Sequence, residues 1–297
     1  MELQPETKKW ITILVVVVVL TIIVSFITAK LSIGIPQGTQ EQSVYNKVIN
    51  SGTIHSCYVP YIPAMVKDPN SGKLSGIFYD TLNKAAENMG LKIDWSVQSD
   101  WGSMIADLNS GKCDIVGSDS WSNSTRGKSA EFGLPLYYSA IDAYVRAGDN
   151  RFDANPLIAN DSKYTVVYVD GETSQTIVRR QFPNAKTISL PQTADVSLML
   201  LNVVENKADM AFVEPAIANQ FLKTHPDSIK PADTSKPVAV YGNVMMIKKG
   251  EFAFQTAINN ALTELLDSGY VDQIIDQYAK QYPGVYYRVA KPYVISQ

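Results

Sequence analysis

Hydropathy divides this chain of 297 residues into one unbroken apolar stretch and a longer region of alternating element signals. Trp10 to Ala29 contains only apolar, Ser and Thr residues. A run of about 20 such residues matches a helix that crosses a hydrocarbon core of about 30 Å. A cleavable secretory signal has a shorter apolar core and a small-x-small cleavage site, and Ile27-Thr28-Ala29 fits that site poorly. The pattern therefore favours an uncleaved anchor over residues 10–29, with a long signal peptide as the alternative. Lys8 and Lys9 would hold residues 1–9 on the cytoplasmic side, and residues 30–42 read as a polar tether.

Beyond the tether, strand and helix signals alternate. Ser43–Asn50 reads as a short helix, Thr53–Tyr58 as a strand, and Phe78–Met89 as a helix stopped by Gly90. Leu91–Val97 is a strand, Trp101–Asn109 a helix ended near Gly111, and Cys113–Gly117 a short buried strand. The order restarts after Tyr144-Val145-Arg146. Strands are expected at Tyr164–Val169, Thr187–Leu190 and Met210–Val213, with helices over residues 171–182, 194–205 and 216–222. The chain returns through Val238–Ile247 and closes with helices Phe252–Asp267 and Tyr270–Gln281, followed by an extended tail at 283–297. Strands alternating with helices at these lengths predict an α/β protein with a parallel sheet.

Candidate chemistry concentrates between Asp114 and Arg126. Ser118, Asp119, Ser120, Trp121, Ser122 and Asn123 read as a polar loop at the carboxyl end of a strand, the border of the ligand crevice in an open α/β sheet. An Arg one turn later can fork onto a carboxylate, which suits capture of a small zwitterion or acid. The bland reading is a solvated loop whose Arg126 makes a structural salt bridge. A weak internal echo adds to this. Leu108–Asp114 resembles Val203–Asp209, and each copy runs through a short apolar strand to an acid five residues on, Asp119 in one and Glu214 in the other. Two similar units would make those acids face each other across a shared cleft, while Asp114 and Asp209 anchor turns. The competing role for Glu214 is a cap on the helix that Pro215 opens.

The net charge of −3 and the lack of a long basic run argue against a nucleic-acid partner. His55 and His225 are isolated, so neither a metal site nor a cofactor is expected. Only two cysteines occur, Cys57 and Cys113. Placed at opposite ends of neighbouring parallel strands they would be too far apart to join, which makes two free buried thiols the expectation.

Over about residues 44–282 the chain resembles the family 3 extracellular solute-binding proteins, the polar amino-acid receptors of ABC importers. The resemblance rests on Gly52-Thr53-Ile54, Tyr61-Ile62-Pro63, Gly72-Lys73-Leu74-Ser75-Gly76 with Asp80, and Trp101. It continues through Leu108-x-x-Gly111-Lys112-x-Asp114, Arg126, Phe132-x-x-Pro135, Gly171-x-Thr173-Ser174, Lys207-x-Asp209 and Gly269. It implies an α/β, two-lobed type II periplasmic-binding-protein fold (a Venus flytrap) with two hinge strands, here preceded by one transmembrane helix. Residues 43–144 and 245–282 would form lobe 1 and residues 145–244 lobe 2.

By the same resemblance, Arg126 clamps a ligand α-carboxylate, completed by backbone N–H groups at Thr173. Ser118 offers a carbonyl to the ammonium and Glu214 a carboxylate. Tyr61 and Trp101 form aromatic walls, and Tyr58 contacts the ligand side chain. Asp119 and Trp121 depart from the family pattern, as does Asn123 in place of a helix-starting Thr. The extra acid suits a more cationic ligand, and Trp121 adds aromatic surface for packing or a cation–π contact. The implied protein is a monomeric, membrane-anchored receptor with its binding domain outside the cytoplasm, delivering an amino acid or related small amine-carboxylate to an ABC permease. The alternatives are a sensor ectodomain, a dehydratase acting through a buried Glu214 or Asp119, and a purely structural module.

Overall fold

The computed structural model describes residues 5–33, 42–153, 155–233 and 235–291. Two compact units result, residues 1–43 and residues 44–297. The first is helix α1, Pro5–Ile33, which overruns the apolar run at both ends. Its Lys9–Ile27 segment has a mean hydropathy of 3.1 and no buried side chains. Most of the expected tether, residues 34–41, lies outside the described residues, as do residues 1–4 and 292–297.

The second unit begins with α2 (Val44–Ser51), β1 (Thr53–Tyr58), the small hairpin β2 (Val66–Lys67) and β3 (Leu74–Ser75), and α3 (Ile77–Asn88). Next come β4 (Lys92–Gln98), α4 (Met104–Asn109), β5 (Ile115–Trp121), β6 (Ala130–Phe132) and the long β7 (Tyr137–Arg146). A second series follows: β8 (Thr165–Val169), α5 (Thr173–Gln181), β9 (Lys186–Leu190), α6 (Ser197–Val204), β10 (Ala211–Val213), α7 (Pro215–Leu222) and β11 (Ile229–Pro231). The chain returns along β12 (Ala239–Lys248) and finishes with α8 (Phe252–Asp267), α9 (Tyr270–Gln281) and β13 (Tyr286–Arg288).

These elements form two α/β lobes that share two strands. In lobe 1, β1 pairs in parallel with β4 and with β5, and β12 closes against β5 in the antiparallel sense. In lobe 2, β8 pairs in parallel with β9 and touches Met210, while β10 and β11 lie antiparallel to the second half of β7. Strands β7 and β12 have ten residues each, so at about 3.3 Å per residue each is long enough to serve both sheets. They pair with each other from Tyr137 to Ile141 and form the waist.

Apolar spacing explains the layers. Val271, Ile275 and Tyr278 fall on one face of α9 and are buried with Phe78, Leu82, Phe254, Ile258 and Leu262 of α3 and α8. Gly269 takes the left-handed conformation, φ 76°, that lets the chain reverse between α8 and α9. The lobe 2 core gathers Val166, Ile177, Leu200, Phe182 and Phe212, the last two rings 4.8 Å apart.

The structure corrects two expectations. Ser118–Trp121 is not a loop. It continues β5, and all seven residues of that strand are buried. The local sequence reads as a loop because it is polar, but β12 supplies ladder partners at Asn243 and Val244 that satisfy the backbone. The cysteines are also not free. Cys57 and Cys113 form a disulfide with their Cα atoms 5.5 Å apart. The chain bends at Asp114 before β5 starts, which brings Cys113 back alongside Cys57 instead of leaving it at the far end of a neighbouring strand. Within the extended tail, β13 pairs with Tyr137–Ser139 of β7.

Candidate functional site

The paired Asp residues of the echo occupy equivalent places. Asp114 accepts from the backbone N–H of His55 at 2.9 Å and Asp209 from that of Thr165 at 2.8 Å, each tying a loop to the start of the neighbouring strand. Asp114 is also paired with Lys47, and Asp209 with Arg146 and Arg151. Five residues beyond each, Asp119 in β5 and Glu214 ahead of α7 are both 2% exposed.

The two acids share one electrostatic environment. Burial raises Glu214, and the negative charges of Asp119 and Glu172 raise it further, against the Ser139 hydroxyl. Burial likewise pushes Asp119 up to about 8, with Glu172 adding and Arg126 opposing. Among the described residues, Oδ1 of Asp119 and Oε1 of Glu214 have no hydrogen-bond partner, and neither do the buried hydroxyls of Tyr137 and Thr173. Each such atom costs free energy until it is paired.

Arg126 is 8% exposed and its guanidinium spans the lobes. Nη1 donates to the carbonyl of Trp121 at 3.0 Å, and Nη2 donates to that of Gly171 in lobe 2 at 2.7 Å. Burial lowers its pKa, opposed by the charges of Glu172 and Asp119. Gly171 permits this approach because its φ is +77° and a Cβ there would lie 2.9 Å from the carbonyl oxygen of Trp101. The lobes are therefore closed on one another at this point.

Aromatic side chains fill the floor between them. Tyr61 sits edge-on to Trp101 at 5.6 Å and to Trp121 at 6.0 Å. Burial and the charges of Glu214, Glu172 and Asp119 hold its phenol well above its usual range, so its ring lies in the field of all three acids. Trp121 stacks on Tyr241 at 5.6 Å, and its indole N–H donates to Asn243 at 2.7 Å. Asn243 in turn donates to Ser139 at 2.7 Å, so both waist strands fix that indole. Between Tyr61, Trp121, Glu172 and Phe212 the packing leaves no room for a water molecule. A hollow of about 530 Å³ opens beside Tyr61 and Trp101 at the mouth, walled on the other lobe by Asp195, Val196 and Phe221 and not by Asp119, Glu172 or Glu214.

The structure thus brings Tyr61, Trp101, Asp119, Trp121, Arg126, Thr173 and Glu214 around one closed cleft. Ser118 borders it through β5 and accepts from the backbone of Val59 at 3.0 Å. Tyr58 points elsewhere, packing edge-on to Trp95 at 6.3 Å. Three participants escaped the sequence reading: Glu172, Tyr137 and Asn243. Glu172 was legible only as an acid at a helix start. Its carboxylate accepts from Ser174, both from the backbone N–H at 2.6 Å and from the hydroxyl, and so caps α5.

Residues 54–281 match the family model described as bacterial extracellular solute-binding proteins, family 3. The chain belongs to that family. It is similar to the L-cystine-binding protein TcyA of Bacillus subtilis, 25% identical over 219 residues that cover 72% of this chain and 76% of the relative. The L-cystine-binding protein TcyJ of Escherichia coli K12 is 22% identical over 238 residues, 80% of this chain and 86% of the relative. Among solved structures, the cysteine-binding protein from Campylobacter jejuni superposes with a TM-score of 0.70 at 18% identity, covering 82% of this chain and 95% of its own. The ancestral amino acid-binding protein AncCDT-1, a precursor of cyclohexadienyl dehydratase, gives 0.69 at 22% identity, covering 80% and 99%. These likenesses carry the two-lobed fold. The family places the binding unit of this amino-acid-type solute receptor outside the cytoplasm, where a disulfide such as Cys57–Cys113 is stable.

Proposed function

We propose that this family 3 protein is a membrane-anchored receptor that closes its lobes on a small ammonium-bearing solute, an amino acid or a close relative, and presents it to an ABC permease. The observation that supports this best is that Asp119 and Glu214, one from each lobe, are buried with Glu214 in the field of Asp119 and with an unpartnered oxygen on each. An ammonium between them supplies the missing donors in a water-excluded site, where charge-assisted hydrogen bonds are strongest. Tyr61, Trp101 and Trp121 add apolar burial. Because Arg126 joins the lobes only when they are closed, a ligand that needs both lobes selects that conformer. Helix α1 serves as the anchor and the binding unit works as a monomer.

A thermal-shift screen of the full chain in detergent against amino acids and amines tests the reading. A rise in Tm with at least one ammonium-bearing solute, abolished by Glu214→Gln, is the expected result. No shift with any of them would defeat it. A second reading draws on the raised pKa of Asp119, which leaves a carboxylic acid able to protonate a leaving hydroxyl. Aromatic product formed from prephenate or arogenate, and lost in Asp119→Asn, would favour that dehydratase over a receptor.

A further inference from the structure

Two features of this cleft are suited to hold an anion, and the chain itself occupies both. The N-terminus of the nine-residue helix α5 is capped by the carboxylate of Glu172, 4% exposed, which accepts from Ser174. The guanidinium of Arg126 has Nη1 on one backbone carbonyl and Nη2 on another, and Glu172 stands close enough for each charge to stabilise the other. Glu172 therefore lies where a ligand carboxylate would have to lie to use the same N–H groups and the same cation.

The groups left unpartnered have the opposite requirement. Asp119 and Glu214 each present a buried oxygen that can accept, and the hydroxyls of Tyr137 and Thr173 can accept as well as donate. Asp119, Glu172 and Glu214 are all buried here, and Arg126 is charge-coupled to the first two, so the cleft is short of positive charge.

Resting on the receptor reading above, we infer that the solute is an aliphatic amine or diamine without a carboxylate. One ammonium bridges Asp119 and Glu214, and Glu172 takes the place of the acid group that an amino acid would bring. The methylene chain runs past Tyr61 and Trp101 toward the hollow at the mouth, where there is room for it.

The test compares decarboxylated amines with their parent amino acids on the full chain in detergent, by calorimetric titration: putrescine with ornithine, cadaverine with lysine, agmatine with arginine. In at least one pair the amine should bind about tenfold or more tightly than its parent, a difference of about 1.4 kcal/mol. Glu172→Ala should narrow or reverse that ratio by freeing the helix end and Arg126 for the parent's carboxylate. Should Glu172→Ala not fold, Glu172→Gln removes the charge with little change of shape and should move the ratio the same way. A parent amino acid that binds the wild type as tightly as its amine overturns this inference and leaves the receptor reading standing. Binding by neither amines nor amino acids overturns both.

Discussion

The Cys57–Cys113 bridge closes a loop across a sequence separation of 56 and staples the start of β5 to β1. Replacing both cysteines by alanine removes that constraint from the unfolded chain without leaving an unpaired thiol. The chain-entropy relation for a loop of this length gives a loss of about 4 kcal/mol. Both cysteines are buried with Met104, Leu108 and Val116, Cys57 at 0% and Cys113 at 1% exposure, so lost packing adds to the effect instead of offsetting it. For a unit of this size, about 4 kcal/mol corresponds to a fall in Tm of roughly 8–16 °C. Tryptophan fluorescence during heating reads this directly, because Trp95, Trp101 and Trp121 all lie in or beside lobe 1. Wild type treated with dithiothreitol should move toward the variant, and the variant should not respond to reductant. Alkylation of both thiols in native, unreduced protein, detected by mass spectrometry, would refute the bridge. Equal melting of wild type and variant would refute the energetic argument.

Three further outcomes follow from the cleft. Arg126→Met removes the one charge-assisted hydrogen bond that this guanidinium makes between the lobes, to Gly171, and should destabilise the closed form relative to the open one by about 1.5–3 kcal/mol; X-ray scattering should show a larger radius of gyration than wild type, and an unchanged radius would count against Arg126 as a latch. Gly171→Ala forces a Cβ into the left-handed region 2.9 Å from the carbonyl oxygen of Trp101. The clash falls on closure, and a cost there of about 1.4 kcal/mol should appear as a roughly tenfold weaker Kd for whichever solute binds, whereas an unaltered Kd would show that the lobes do not approach there. Stability should also depend on pH through Asp119, which Glu172, Glu214, Arg126, Tyr61 and Tyr137 face. A carboxyl raised to about 8 in the folded protein contributes stability fully below its unfolded value of 3.8 and loses it as pH rises through about 8. Wild-type Tm should therefore decline across that window while Asp119→Asn declines less, and parallel curves would place the titration elsewhere.

Local periodicity was enough for the elements whose burial is decided by their own sequence. Helices α8 and α9 were bounded by their apolar spacing and by Gly269, and the structure has them at the same residues. The internal echo likewise pointed at Asp119 and Glu214, because the same turn-anchoring Asp and short strand recur in both lobes. What stayed hidden depends on distant partners. Ser118–Trp121 looks like a loop until β12, more than a hundred residues on, pairs with it. Trp121 could be named as extra aromatic surface, but only Tyr241 and Asn243 fix its plane. Glu172 reads as an ordinary helix-start acid, and its burial beside Arg126 exists only once the lobes have met. The bridge was missed for a similar reason. The bend at Asp114 changes where Cys113 points, and strand pairing alone does not reveal that bend.

Strand β13 gives the waist a third crossing. After α9 leaves lobe 1, the carbonyls of Gln281 and Pro283 accept from Lys223 at 3.3 Å and from Asn219 at 2.9 Å on α7. Gly284 then passes close to Ala216, and the chain pairs onto β7. Two ribbons alone behave as a simple pivot, free to swing and to twist. A strip fastened to both halves beside them resists the twist more than the swing, so the jaws of this receptor travel along one arc. Trimming the chain after Tyr282 would therefore loosen the direction in which the mouth opens, and would also uncover the ring of Tyr137, on which Tyr286 packs at 5.8 Å.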